Sequence, residues 1–229
     1  MSTSVFTGTP ARQTNRFAAI TVRDLAGLFK LRIGVVIAIT AWAGLAVTPG
    51  PKPAWWQSLV LILAVLVSSA AAGAFNQYYE YYVDRAMART ANRPFANGRL
   101  ARHWGWVGII VALTLASVVA ATLATNWIAA LYTFLGAFVY AVVYTVWLKR
   151  RTWLNIVIGG LAGSFAVLAG AAAVTPALSP DAIILAVVLF LWTPPHFWSL
   201  AIAFREDYVR ARVPMLPVVK GDARAARAI

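Results

Sequence analysis

Six apolar runs, each approaching the roughly 20 residues an α-helix needs to cross a hydrocarbon layer, constrain this chain more than any other feature. They lie at 33–48, 55–75, 104–123, 127–147, 153–174 and 182–203. The first is short and borrows residues 28–32, with Lys30 and Arg32 expected to snorkel to the interface along their methylene stems. Pro49, Pro51 and Pro53 stop it. Trp55, Trp56, Trp104, Trp106, Trp127, Trp147 and Trp153 fall at run ends, where an indole is most stable between headgroup and tail. No stretch between the runs is long enough for an independent water-soluble core. Composition agrees: 61% of the chain is hydrophobic and 12% charged, whereas soluble domains run at about 45–50% and about 25%. The expectation is an all-α, polytopic transmembrane bundle of six spans, a single domain over residues 1–229, with 1–28 as a cytoplasmic N-terminal tail.

Charge orients the bundle. The net charge of +13 would suggest nucleic-acid binding in a soluble chain, but here the cations sit between apolar runs and read as topology plus anionic ligands. All but one of the 20 Lys and Arg lie before the first span, in 85–102, in 149–151 or from Arg205 onward; the alternate loops hold only Lys52. That asymmetry places the N-terminus, and the residues after span six, in the cytoplasm. The lipid bilayer is the expected environment, as a bacterial inner (cell) membrane protein, and no nucleic-acid partner is expected. Arg12, Arg16 and Arg23 precede the first span without an apolar core and cleavage site, so this segment reads as a tail and not a signal peptide. The chain has no cysteine, which excludes disulfides, thiolate-bound zinc and a Cys nucleophile.

Chemistry concentrates in two loops on the cation-rich side. At the end of span two, Asn76, Glu80 and Asp84 recur at four-residue spacing and share one helix face over roughly 12 Å. Magnesium prefers oxygen ligands and takes one or two carboxylates while waters and substrate phosphates complete its octahedron, so this line of oxygens suits it. Arg85, Arg89 and Arg93 follow and offer forked donors for diphosphate oxygens. The bland alternative is that Glu80 and Asp84 pair with Arg89 and Arg85 at a solvated helix end. Against it, a carboxylate at membrane depth is costly and by default functional.

The second loop follows span six. Pro194 and Pro195 lie inside the apolar run and should break or kink the helix beside a cavity. Glu206 and Asp207 could hold a second metal opposite the first cluster, with Arg205, Arg210 and Lys220 available to phosphate or carboxylate; the alternative is a charged span end. A histidine within a span, as His196 is, is more often hydrogen-bonded inside a bundle than catalytic. Gly159, Gly160, Gly163 and Gly170 mark close helix packing, not phosphate binding.

These clusters resemble those of the intramembrane aromatic prenyltransferase superfamily, and specifically its protohaem IX farnesyltransferase (haem O synthase) branch. Asn76, Glu80 and Asp84 match the superfamily's first motif, and Met87, Arg89, Thr90, Arg93 and Pro94 match the branch's extension of it. Tyr144 to Gly160, Trp192 to Trp198, and Asp207 and Tyr208 through Pro217 are similar to the branch as well. Many superfamily members carry a further acid four residues before Asp207; this chain has Ala203 there.

The resemblance implies a bundle, usually of nine spans, around a central cavity open to the cytoplasmic side; the C-terminal spans are absent from this six-span chain. It implies Mg2+-dependent transfer of a farnesyl group from farnesyl diphosphate to a vinyl group of haem b, giving haem O for terminal oxidase assembly. Asn76, Glu80, Asp84 and Asp207 would then be catalytic, and these four with Glu206 would ligate metal. Arg85, Arg89, Arg93, Lys149, His196, Arg205 and Tyr208 would bind substrate, His196 and Arg205 positioning the haem or its propionates. Haem A synthase or terminal oxidase assembly proteins would be the protein partners. The competing readings are a polyprenyltransferase acting on an aromatic acid or quinone precursor, a membrane transporter, and a non-catalytic haem-protein assembly factor.

Overall fold

A computed structural model describes residues 20–229. Arg12 and Arg16, with most of the expected tail, lie outside the described residues. The described chain is all-helical. Five helices are long and apolar enough to span a membrane, and a sixth span is formed if the bent pair Val22–Leu28 and Leu31–Val47 counts as one.

Helix α1 (Val22–Leu28) begins at a capping box: the Thr21 hydroxyl accepts from the Asp24 N–H, and the Asp24 carboxylate accepts from the Thr21 N–H. It meets α2 (Leu31–Val47) at an angle of 52°. The turn is made at Lys30, whose backbone is left-handed (φ 48, ψ 42), a conformation that costs an L-residue about 1–2 kcal/mol. Helix α3 (Trp55–Tyr79) returns across the bundle and is followed, after a single-residue break at Glu80, by α4 (Tyr81–Ala86). After a loop come α5 (Trp104–Ala124) and α6 (Trp127–Phe138), the latter passing into a π-helix over Val139–Leu148. Helices α7 (Asn155–Gly159) and α8 (Leu161–Val174) share the fifth run, and α9 (Pro180–Ala203) makes the sixth; α10 (Arg205–Arg210), α11 (Leu216–Lys220) and α12 (Asp222–Ala228) are short.

In lipid, helices gain little by hiding apolar surface from one another and associate where small residues let backbones approach. The core follows that rule, with Ala41, Ala64, Ala121, Ala129, Ala130, Ala166, Ala169 and Ala172 buried around Leu61 and Val65. Packing runs α2 on α3, α3 on α5, α5 on α6, α6 on α8 and α8 back on α2, which closes a ring. Helix α9 sits outside it against α8. The α2–α8 seam is the tightest: a Cβ on Gly170 would stand 1.8 Å from the Ala41 carbonyl oxygen, and one on Gly44 would stand 2.1 Å from that of Val167.

Two features depart from the sequence reading. Helix α9 is not broken at Pro194 and Pro195 but runs through both. The prolines remove two amide donors, and on either side of them the Thr193 and Ser199 hydroxyls bond to the carbonyls of Leu189 and Pro195, four residues back in the same helix. The π-helix has no counterpart in the apolar pattern, which is the same for either helix type.

Candidate active site

Lys30, Glu80, Asp84, Lys149 and Asp207 all fall at one end of the bundle, because an even number of spans separates each turn on that side from the next. The amide of Asn76 forms the centre of the site. Asn76 is buried on the last turn of α3; its Nδ2 donates to Glu80 Oε2 at 2.6 Å and to Thr145 Oγ1 at 3.0 Å, while its Oδ1 accepts from Lys30 Nζ at 2.7 Å. The backbone keeps four-residue spacing through the break, Glu80 N–H bonding to Asn76 O and Asp84 N–H to Glu80 O, each at 2.9 Å. The shared face expected for Asn76, Glu80 and Asp84 is therefore preserved.

The π-helix supplies the opposing wall. Its wider turn brings residues four and five apart into line, shown by Thr145 Oγ1 bonding to Tyr140 O and Lys149 N–H to Tyr144 O. Tyr140, Thr145 and Lys149 thus face α3 together: Tyr140 Oη receives a bond from Lys30 Nζ at 2.8 Å, Thr145 meets Asn76, and Lys149 Nζ lies 2.5 Å from Glu80 Oε2. Burial alone would lower the Lys149 pKa, but the Glu80 carboxylate outweighs it and the pKa is raised.

Both carboxylates are ion-paired, though not to the partners expected of a solvated helix end. Glu80 (1% exposed) pairs with Lys149, and Asp84 (3% exposed) receives Arg93 Nη1 on both oxygens at 2.8 and 2.9 Å. The intervening segment is held as a cap: Thr90 Oγ1 donates to the Asp84 carbonyl, and Phe95 packs edge-on against Tyr78 and Trp106. Across the site, Asp207 on α10 accepts from the Arg89 N–H at 3.3 Å and pairs with Arg210 at 3.5 Å. Tyr208 is buried beside it with Val83 and Met87. A cavity of about 460 Å³ opens between α1 and this cap, with Arg23, Arg89, Arg93 and Arg99 in its wall.

Not every expected residue joins the cluster. Arg85 turns away from Asp84 to donate to the Ala96 carbonyl at 2.5 Å, and its guanidinium lies over Tyr81. One residue's rotation of about 100° separates it from the Asn76–Asp84 face. Arg205 pairs with Asp222 and bonds to the Pro217 carbonyl. Glu206 is exposed while Asp207 and Tyr208 are buried, again because successive helical residues point in different directions. His196 is exposed and stacks on Trp192, 4.4 Å between centroids, and no bundle hydrogen bond holds it among the described residues. Lys30, expected at the interface, instead turns inward. Tyr140 had no signal in the sequence beyond a polar group in an apolar run, and Thr145 only its place in the stretch similar to the branch.

The oxygens suit a hard divalent cation. Glu80 Oε2 takes both hydrogen bonds, leaving Oε1 buried without a partner, the atom a metal ion would satisfy. Among the described residues no three acidic or imidazole side chains converge into a closed metal cage; a site of few carboxylates is the kind magnesium shares with phosphate and water.

The described residues thus form a helical membrane bundle with acids and basic side chains gathered at one end of its spans. The chain belongs to the UbiA prenyltransferase family, whose profile matches residues 37–229. Within it, the chain stands with the protoheme IX farnesyltransferases. It is 59% identical over 208 residues to Protoheme IX farnesyltransferase 2 of Paramagnetospirillum magneticum and 50% identical over 208 residues to Protoheme IX farnesyltransferase 1 of that organism. These alignments cover 91% and 90% of this chain and 72% of each relative. The fold matches a UbiA homolog from Archaeoglobus fulgidus solved with GPP and Mg2+, at a TM-score of 0.74 and 19% identity, over 90% of this chain and 72% of that one.

Proposed function

We propose that this chain transfers a farnesyl group from farnesyl diphosphate to a vinyl group of haem b in a Mg2+-dependent reaction, yielding haem O. The observation that carries the reading is the pairing, at one end of the spans, of a partnerless carboxylate oxygen on Glu80 with the cations Lys149, Arg93 and Lys30. Acids that recruit a metal and bases that receive phosphate are both required for diphosphate departure, whereas a transporter would need no such pairing on one side. The branch to which the chain belongs supplies the acceptor, haem.

When bound, magnesium would offset the charge that grows on the leaving diphosphate. Asn76, Glu80 and Asp84 would hold it, with Asp207 on the facing helix. The allylic C–O bond of farnesyl diphosphate breaks and the electron pair leaves with the diphosphate. Arg89, Arg93 and Lys149 would meet that charge as it develops, the preorganised electrostatics that dominate such steps. The haem vinyl carbon then forms the new C–C bond, and water adds to the adjacent carbon with loss of a proton, completing a hydroxyethylfarnesyl group. The apolar surroundings keep bulk water from the allylic cation meanwhile.

The test is a mass spectrum of haem extracted after incubating membranes with haem b, farnesyl diphosphate and Mg2+. Farnesylated haem is expected, and a benzoate acceptor should remain unprenylated; preference for the benzoate would move the chain to the quinone-precursor branch.

The site is further proposed to face the cytoplasm. The chain has no native cysteine, so single cysteines report cleanly. Ala54→Cys and Ala177→Cys, exposed at the end opposite the site, should react with an impermeant maleimide added outside the cell. Asn97→Cys, exposed beside the site, should react only after lysis, and outside labelling of it would invert the topology.

A further inference from the structure

We propose that Lys30 is a direct ligand of the substrate diphosphate, its ammonium reaching the site with no carboxylate partner of its own. This rests on the reading of the site as one for a prenyl diphosphate and adds a residue to it.

Three observations converge. All seven Asp and Glu of the chain fall among the described residues, and Lys30 pairs with none of them; its Nζ is held by two neutral oxygens, Asn76 Oδ1 at 2.7 Å and Tyr140 Oη at 2.8 Å. An ammonium donates three bonds, so one N–H remains, on a side chain that is only half-buried. Next, the backbone is strained to put it there. Lys30 is left-handed (φ 48), a place where glycine would be relaxed, and such outliers persist where a side chain has work at a site. Gly73 completes the arrangement by leaving room for the lysine stem: a Cβ there would lie 3.3 Å from Lys30 Cβ and Cδ.

The charge balance identifies the ligand class. The charged groups around Lys30 are Glu80, Asp84, Arg93 and Lys149. Glu80 is taken by Lys149 and Asp84 by Arg93, so neither carboxylate is left for Lys30. A trianionic prenyl diphosphate is still anionic with one Mg2+ bound and can supply the counter-charge that Lys30 lacks. Leaving an ammonium at this depth without a counter-charge is costly, whereas a charge-assisted bond to a phosphate oxygen is favourable. Lys30 sits one hydrogen bond from Asn76, close enough to contact the same diphosphate that a metal at Glu80 would hold.

The test compares Lys30→Gln with the parent chain in detergent by titration calorimetry. Two probes are used: inorganic diphosphate with EDTA, and farnesyl thiodiphosphate, which resists ionisation, with excess Mg2+. Glutamine removes the charge and still offers an amide donor toward Asn76 and Tyr140, from a stem one bond shorter. Both probes should bind on the order of ten- to a hundredfold more weakly. The thermal midpoint of the ligand-free protein should hold or rise, because the displaced charge had no partner. If Lys30→Gln does not fold, Lys30→Met provides the same comparison. Affinities within twofold of the parent for both probes, or a lowered ligand-free midpoint with unchanged affinities, would reduce Lys30 to a brace for Asn76 and overturn the assignment. Loss of diphosphate affinity in the variant, with no farnesylated haem from the parent, would sustain Lys30 and sink the haem reading instead.

Discussion

Glu80→Gln should lower turnover by on the order of a hundredfold or more, chiefly in kcat. The substitution keeps the size of a side chain that is 1% exposed, and an amide oxygen can still accept from Asn76 or Lys149. What disappears is the charge that would anchor the metal and, through it, the leaving diphosphate. Lys149, raised in pKa by this carboxylate, also loses its counter-ion. Glu80→Asp should be milder, since a carboxylate one methylene shorter can reach magnesium through a water.

Asp84→Asn should behave differently. Its carboxylate is already spent on Arg93 through two contacts, so raising Mg2+ should rescue part of its activity and less of that of Glu80→Gln. The assay is farnesylated-haem formation over a magnesium titration with expression matched. Near-normal turnover in both variants would leave the acids as structural ion pairs and remove the metal-site reading.

The largest effect on stability is expected at Gly170. Its Cβ position lies 1.8 Å from the Ala41 carbonyl oxygen, where ordinary contact begins near 3.4 Å. The obstacle is backbone, so no rotamer change relieves it and α2 must separate from α8. Gly170→Leu should cost on the order of 3 kcal/mol or more, read as loss of monodisperse protein in detergent and a collapsed thermal midpoint. Gly163→Ala is the internal comparison, since its nearest neighbour is a Leu189 methyl at 3.4 Å, and it should be nearly silent. A Gly170→Leu protein as stable as the parent would mean that the α2–α8 seam is looser than described.

Those two predictions draw on different sources. Asn76, Glu80 and Asp84 are legible in the sequence because a period of four on a helix is a local property, and the structure keeps their hydrogen-bonded spacing across the break at Glu80. The packing role of Gly170 was likewise legible, but not its partner, since nothing local pairs residue 170 with Ala41. Asp207 could be singled out as an acid at a span end; that it is buried against the Arg89 amide while adjacent Glu206 is exposed depends on how α10 is rotated.

By itself the sequence determined that the chain is a bundle of apolar helices with most of its acids and bases at one end, because span length, charge asymmetry and helical period depend only on neighbours along the chain. Tertiary structure alone decided which cation meets which acid. Lys149 rather than Arg89 takes Glu80, and Arg93 rather than Arg85 takes Asp84. Lys30 points into the site and not toward the interface because a left-handed turn aims it there and a glycine on α3 makes room. A π-helix sets Tyr140, Thr145 and Lys149 on one wall. The contacts of Lys30 with Asn76 and Tyr140 and of Lys149 with Glu80 join residues 46 to 110 positions apart, fixed by the angle and depth at which helices pack, and a pattern of apolar residues says only that they pack.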